Sequence, residues 1–457
     1  MIKFLFINAI DPFSEVQARF PQLGIGYLIS SINAAFGHNK FKFKVITRNI
    51  AAEIKSFRPD VVGITAVSQN YNYAKKAAFI AKQAGLPVII GGIHISTLPG
   101  TMTDNMDVAV IGEGEQTIVD LMDAYIACES FPHHILDRIP GLAYRENGQL
   151  HMTAPRSFIS PLDRIPIPDR ENFPLSSHGN VFSSRGCPYR CTFCSSTRYW
   201  DKVRFFSAEY VIEELRAINS LRPVKRISFY DDLMIADRKR LDQIAALIRR
   251  DPALQKIKYV VNARANLVTD SVAETLASMN VVAVGMGLES GNEKSLAYLK
   301  GGNVTVRDNL TAIQNLHRYG ITANASFIIG SPDETREEIL QTLDFIKHSG
   351  LDFSDTYVLI PLPGTPVWDY AKSIGVVSDD MDWDRLNVYH SKQPDPVIVS
   401  KHIGADEMRE LYEKFRRTRL MIAARKTWFH PFFPMMVQAG LGKIANTARR
   451  WVCPQSL

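Results

Sequence analysis

The sequence predicts an α/β protein with two successive strand–helix units. A doubly wound parallel sheet comes first, then a partial β/α barrel of TIM type, then a mixed, mostly helical C-terminal region. Three observations predict this. Short apolar runs alternate twice with amphipathic stretches, the runs are apolar on both faces, and a proline-rich stretch divides the two series. Strands buried on both faces belong to parallel sheets covered by helices. A chain of 457 residues has room for about three domains.

In the first unit, residues 1–128, strands are expected at 3–9, 43–47, 60–67, 87–93 and 108–112. Helices are expected at 24–36, near 51–57, at 72–85 and at 115–127. Residues 129–175 carry Pro132, Pro140, Pro155, Pro161, Pro166, Pro168 and Pro174 and read as an extended linker. The second unit, 176–375, offers strands at 181–185, 226–231, 258–264, 281–289, 323–330 and 356–362. Helical stretches near 207–221, 238–250, 271–279, 305–319 and 334–348 lie between them. Six β/α units at this spacing suggest a barrel. The basic C-terminal region, 376–457, contains one good helix at 405–425.

Composition narrows the class. Apolar residues at 46% and charged residues at 22% describe an ordinary globular chain and exclude disorder, collagen and coiled coil. No run reaches the roughly 18 apolar residues of a membrane span. The N-terminus is a poor signal peptide, so a cytoplasmic location is expected. The net charge of +6 is uneven: residues 401–457 hold eleven Lys or Arg against four Asp or Glu, which leaves the rest at −1. No nucleic-acid partner is expected from that balance.

Five cysteines in so long a chain are no disulfide framework. Cys187, Cys191 and Cys194 fall on one short loop just after the first barrel strand. Three soft ligands so placed can hold three irons of a cubane and leave the fourth open. A zinc site or a redox thiol pair is the alternative, although a structural zinc normally takes four ligands and only His178 is near.

This CxxxCxxC loop, with Phe193 before its last cysteine, resembles the signature of the radical S-adenosylmethionine (SAM) enzymes. The likeness continues at later strand ends: Tyr230, Asp231 and Asp232; Asn262 and Arg264; Gly287, Glu289, Ser290 and Gly291; Gly330 and Pro332; Pro361, Gly364 and Thr365. Functional residues of such barrels sit at the carboxyl ends of strands, where all of these fall. The resemblance implies a 4Fe-4S cluster on Cys187, Cys191 and Cys194. It also implies SAM contacts from Phe193, Asp231, Arg264, Glu289, Ser290, Gly330 and Pro361. One electron from the cluster would break a carbon–sulfur bond of SAM and yield a 5′-deoxyadenosyl radical that abstracts hydrogen from substrate.

Glycine-rich turns in the first unit resemble the cobalamin-binding domain joined to many such enzymes. That likeness implies cobalamin contacts from Leu23, Gly24, Thr65, Ser68, Gly91, Gly92, His94, Gly112, Glu113, Gly114 and Glu115. The Asp-x-His-x-x-Gly element that supplies a cobalt ligand elsewhere is absent, and the Thr47–Ala51 connection is short. The leading expectation is a cobalamin-dependent methyltransferase acting on an unactivated centre. A radical cyclase or rrearrangement enzyme acting on a tetrapyrrole- or lipid-like substrate is the second reading. An iron–sulfur or corrinoid sensor is the third. Expected partners are a small-molecule or lipid-like substrate and an electron donor such as a flavodoxin or ferredoxin. The tail, with Arg416, Arg417, Arg419, Trp428, Phe429 and Arg450, either caps the barrel or meets a membrane surface peripherally.

Overall fold

The computed structural model describes residues 1–10, 22–173, 178–386 and 396–426. Its first sheet has seven strands in the order β2-β1-β3-β4-β5-β6-β7. These are β1 (Ile2–Ala9), β2 (Phe41–Ile46), β3 (Val61–Ala66), β4 (Val88–Gly91), β5 (Val108–Val110), β6 (Leu142–Glu146) and β7 (Gln149–Met152). The first five are parallel and the last two antiparallel. Chain order reverses between β1 and β3, and open α/β sheets take their ligands at the carboxyl ends of strands beside such a reversal. Apolar side chains cover both faces, one cluster around Phe4, Ile29 and Leu121 and the other around Leu5, Ala77 and Ile90.

The proline-rich stretch departs from the expected linker, because β6 and β7 form a hairpin that extends the first sheet. Asn147 and Gly148, both at positive φ (51° and 78°), make its two-residue turn, the backbone a tight hairpin demands.

The second sheet has six parallel strands in the order β15-β14-β13-β12-β11-β8. They are β8 (His178–Val181), β11 (Arg226–Phe229), β12 (Lys258–Ala263), β13 (Val281–Glu289), β14 (Thr322–Ile329) and β15 (Phe353–Val358). The two-residue strands β9 (Ser184–Arg185) and β10 (Arg204–Phe205) pair with each other. The first barrel strand thus ends earlier than 185, and Ser184–Arg185 belongs to a separate ladder. Six strands in this order make an open barrel rather than a closed eight-stranded one. Its helices start at side-chain caps: Ser207, Asp237, Thr269 and Asn292 each accept from a first-turn N–H, and Thr305 and Thr335 form capping boxes. A helix absent from the sequence reading, Glu293–Lys300, follows β13.

The helix Ala405–Lys426 buries Met408, Leu411 and Phe415 in the barrel core and so caps it. The aromatic and basic segment around Trp428, Phe429 and Arg450 lies outside the described residues. Among the described residues no helix is long and apolar enough to cross a membrane.

Candidate functional site

Two cavities meet at the seam between the units. The first, about 490 Å³, fills the mouth of the open barrel. The β9–β10 ladder closes the ends of the cysteine loop, and the loop is pinned further inside. Thr192 N–H donates to Leu299 O (3.0 Å), Thr192 Oγ1 to Tyr298 O (3.1 Å) and Arg190 to Thr197 O (2.7 Å). Cys187, Cys191 and Cys194 all line the cavity, unpaired, with Cys191 the most buried. Burial raises the Cys187 thiol and pushes Cys194 up to about 11. Among the described residues no three ligating side chains converge on one ion. A structural zinc normally takes four protein ligands, whereas a cubane takes one thiolate at each iron corner.

Arg264 carries its guanidinium to the cysteines. One arm lies 3.5 Å from Cys191 Sγ, another donates to Lys300 O (3.3 Å), and the group stacks 3.9 Å over Tyr189. Three thiols facing a fixed cation suit an anionic thiolate-held cluster. Glu289 ends β13 at φ 65°, beyond a register shift, and its carboxylate pairs with Lys300 at 3.1 Å. A non-glycine residue held in this left-handed region beside a cavity stores strain that the surroundings must fix. A Cβ at Gly287 would lie 2.2 Å from Glu289 Oε1, so the glycine leaves that carboxylate room to sit where it does. Phe193 also lines this cavity.

Asp231 lines the cavity but is already engaged. Its carboxylate, held protonated more readily by burial, accepts from Ser183 N–H (3.0 Å), Ser183 Oγ (2.9 Å) and Ser184 Oγ. Its neighbour Asp232, named with it at the strand end but not among the expected SAM contacts, lines both cavities and accepts from Ser196 Oγ at 2.6 Å. Three expected SAM contacts are elsewhere. Ser290 is buried against Thr342 Oγ1 (2.9 Å). Gly330 donates to Glu334 Oε2 (2.7 Å) and backs onto Met408. Pro361 is buried in the loop whose Gly364 abuts Thr97 of the first unit. None of the three lines the cavity.

The second cavity, about 470 Å³, opens at the carboxyl ends of β3, β4 and β5. Gly24, Thr65, Gly91, Gly92, Gly112, Glu113, Gly114 and Glu115, eight of the eleven residues expected to meet cobalamin, line it. Gly92 has φ 104°, and a Cβ there would lie 2.7 Å from Ala66 O. The helices Leu23–Phe36 and Glu115–Cys128 start beside this cavity without side-chain caps. Backbone stripped of side chains at helix starts without side-chain caps suits a bulky ligand with polar edges.

Leu23, Ser68 and His94 do not line it. Leu23 turns into the barrel core. His94 is 1% exposed, with Nδ1 3.0 Å from Ser68 Oγ and Nε2 3.1 Å from Thr101 Oγ1. Its ring lies 3.8 Å from Tyr71 and edge-on to Trp383 at 4.5 Å. Burial pushes its pKa down to about 3, so the ring is neutral, with both nitrogens already partnered.

A thiol-lined open barrel joined to a glycine-lined, doubly wound sheet defines a two-cofactor radical enzyme. Comparison with known proteins agrees: residues 181–346 match the Radical SAM superfamily and residues 13–122 the B12 binding domain. An uncharacterized methyltransferase of Pyrococcus horikoshii is 32% identical over 415 residues, 86% of each chain. The anaerobic magnesium-protoporphyrin IX monomethyl ester cyclase of Cereibacter sphaeroides is 24% identical over 405 residues, 81% of this chain and 65% of that one. The radical SAM methyltransferase TsrM of Kitasatospora setae, solved with cobalamin and a [4Fe-4S] cluster, shares the fold. Its TM-score is 0.69 at 15% identity over 92% of this chain and 89% of that one. The chain belongs to the cobalamin-dependent radical SAM methyltransferase family, whose cofactors are a 4Fe-4S cluster, SAM and cobalamin.

Proposed function

We propose that the protein methylates an unactivated carbon of a small or lipid-like molecule at the seam between its two cavities. The observation that carries this reading is that the cavities abut, with Asp232 on the wall of both and the short helix Ser196–Tyr199 between them. When bound, the cluster and SAM supply the radical and methylcobalamin the methyl group.

The chain's own residues bind, orient and exclude water. Cys187, Cys191 and Cys194 would each hold one iron, and Arg264 offsets the charge they bring. Phe193, Glu289 and the paired Lys300 would hold SAM's polar and apolar parts, with Asn262 on the adjoining strand. Gly24, Thr65, Gly91, Gly92, Gly112 and Gly114 would face the corrin. Asp231 acts through Ser183 and Ser184 to fix the start of the cysteine loop, a positioning role.

A flavodoxin or ferredoxin is the class of electron donor such a cluster requires. Unpaired cysteines among the described residues support a cytoplasmic setting. Leu420 and Met421, exposed on the helix that leads into the basic tail, support contact with a lipid surface.

Reconstituted protein given SAM with a deuterated methyl group tests the reading. We expect 5′-deoxyadenosine together with labelled methyl on the recovered corrinoid. 5′-Deoxyadenosine without label on the corrinoid would favour cyclisation or rearrangement instead.

A further inference from the structure

A buried network of four charges crosses the seam between the cavities. Glu113 comes from the loop after β5, Glu115 from the first turn of the helix Glu115–Cys128, and Arg185 and Arg204 from the ladder that closes the cysteine loop. Arg185 Nη1 donates to Glu113 Oε1 at 2.6 Å while its other arm reaches Glu115. Arg204 forks onto both Glu113 oxygens at 2.9 Å and also donates to Ile159 O at 2.6 Å. Glu113 Oε2 accepts in addition from Ile159 N–H at 2.6 Å. The Arg204 guanidinium lies 4.8 Å from the Phe158 ring and 5.1 Å from Trp200, and that of Arg185 lies 5.1 Å over Tyr27. None of the four side chains is more than 11% exposed.

Desolvating four charges costs free energy that an apolar seam would spare, so stability alone explains the network poorly. What it supplies is a fixed geometry between two particular loops. Arg185 is followed by Gly186, at φ 88°, where a Cβ would lie 2.8 Å from Lys202 O, and then by Cys187. The Gly186 N–H donates to Asp232, the residue common to both cavities. On the other side, Gly112 and Gly114 flank Glu113 on the wall of the glycine-lined cavity. The backbone before the first cysteine therefore cannot shift unless the β5 loop follows or the network breaks.

We propose that Glu113, Glu115, Arg185 and Arg204 are positioning residues that couple the two cavities, so that cobalamin on one side and cluster with SAM on the other each tighten binding of the other. The inference rests on the functional reading above, because it requires both cofactors. Such coupling is reciprocal, and its usual size is about fivefold or more in affinity.

The test is titration of the full chain with hydroxocobalamin, with and without reconstituted cluster and SAM, in wild type, Glu115→Gln and Arg185→Lys. Wild type is expected to bind cobalamin at least about fivefold more tightly when cluster and SAM are present. SAM affinity should rise by the same factor when cobalamin is present. Glu115→Gln should bring the ratio close to one with iron content unchanged. Arg185→Lys, which keeps the charge and loses the fork, should fall between and serves if Glu115→Gln does not fold. A merely structural network would weaken each cofactor alone and leave the ratio intact. A wild-type ratio of one, or a ratio that survives both variants, overturns the coupling. Wild type that binds cluster and SAM but no cobalamin overturns the cofactor reading itself.

Discussion

Replacing His94 with glutamine separates a buried structural histidine from a cofactor contact. The wild-type ring is enclosed by Ser68, Tyr71, Thr101 and Trp383, and burial lowers its pKa from 6.5 to about 3, with Lys75 adding to the effect. In the unfolded chain the imidazole takes a proton as pH falls through about 6.5, whereas the folded protein takes none until about 3. The stability this difference carries is therefore complete above pH 6.5 and is lost as the pH drops below it. Between pH 8 and pH 5 the loss is about 2 kcal/mol. His94→Gln has no such proton to bind, so its stability relative to wild type should improve by about 2 kcal/mol across that interval. Urea denaturation of the cofactor-free chain at both pH values, followed by tryptophan fluorescence, measures it. Parallel pH dependence in the two proteins would refute a buried neutral ring. Because His94 does not line the glycine-lined cavity, the variant should also give bound cobalamin an unchanged absorption spectrum.

Other substitutions test the walls of the two cavities. Gly92→Ala forces a Cβ against Ala66 O at a φ of 104°; thermal denaturation should show a loss of about 1–3 kcal/mol, with cobalamin retention reduced. Glu289→Gln leaves the Lys300 ammonium buried without its carboxylate. It should destabilise the protein by about 3–5 kcal/mol and weaken SAM binding at least about tenfold by equilibrium dialysis. Unaltered SAM affinity would remove Glu289 from that site. Cys191→Ala should abolish 5′-deoxyadenosine formation while circular dichroism stays native, and undiminished product would contradict the cluster assignment.

The cysteine triplet and the glycine turns were legible in the sequence because their chemistry is local in the chain. A CxxxCxxC loop and consecutive glycines after apolar strands carry their meaning without tertiary information. What was illegible is which way a side chain faces at a strand-to-helix turn. Glu289 and Ser290 are adjacent, yet the left-handed backbone at Glu289 sends one into the cavity and the other against Thr342. His94 and Gly92 divide in the same way around one turn. Lys300 and Arg204 reach their sites from elements that only the fold brings together, with no nearby motif to mark them; Tyr189 and Arg185 lie in or beside the cysteine motif, but the partners they meet are distant in the chain. The hairpin at 142–152 did leave a signal, the Asn147-Gly148 turn between alternating apolar residues. The prolines on either side masked it.

The most direct test of the two-cofactor account is the cofactor content of the protein itself. The chain would be purified without oxygen, its cluster rebuilt, cobalamin added and the excess removed, and iron, sulfide and corrinoid measured per chain. About four irons with about one corrinoid is the predicted result. About four irons with no corrinoid would contradict it and leave a radical enzyme without its methyl carrier.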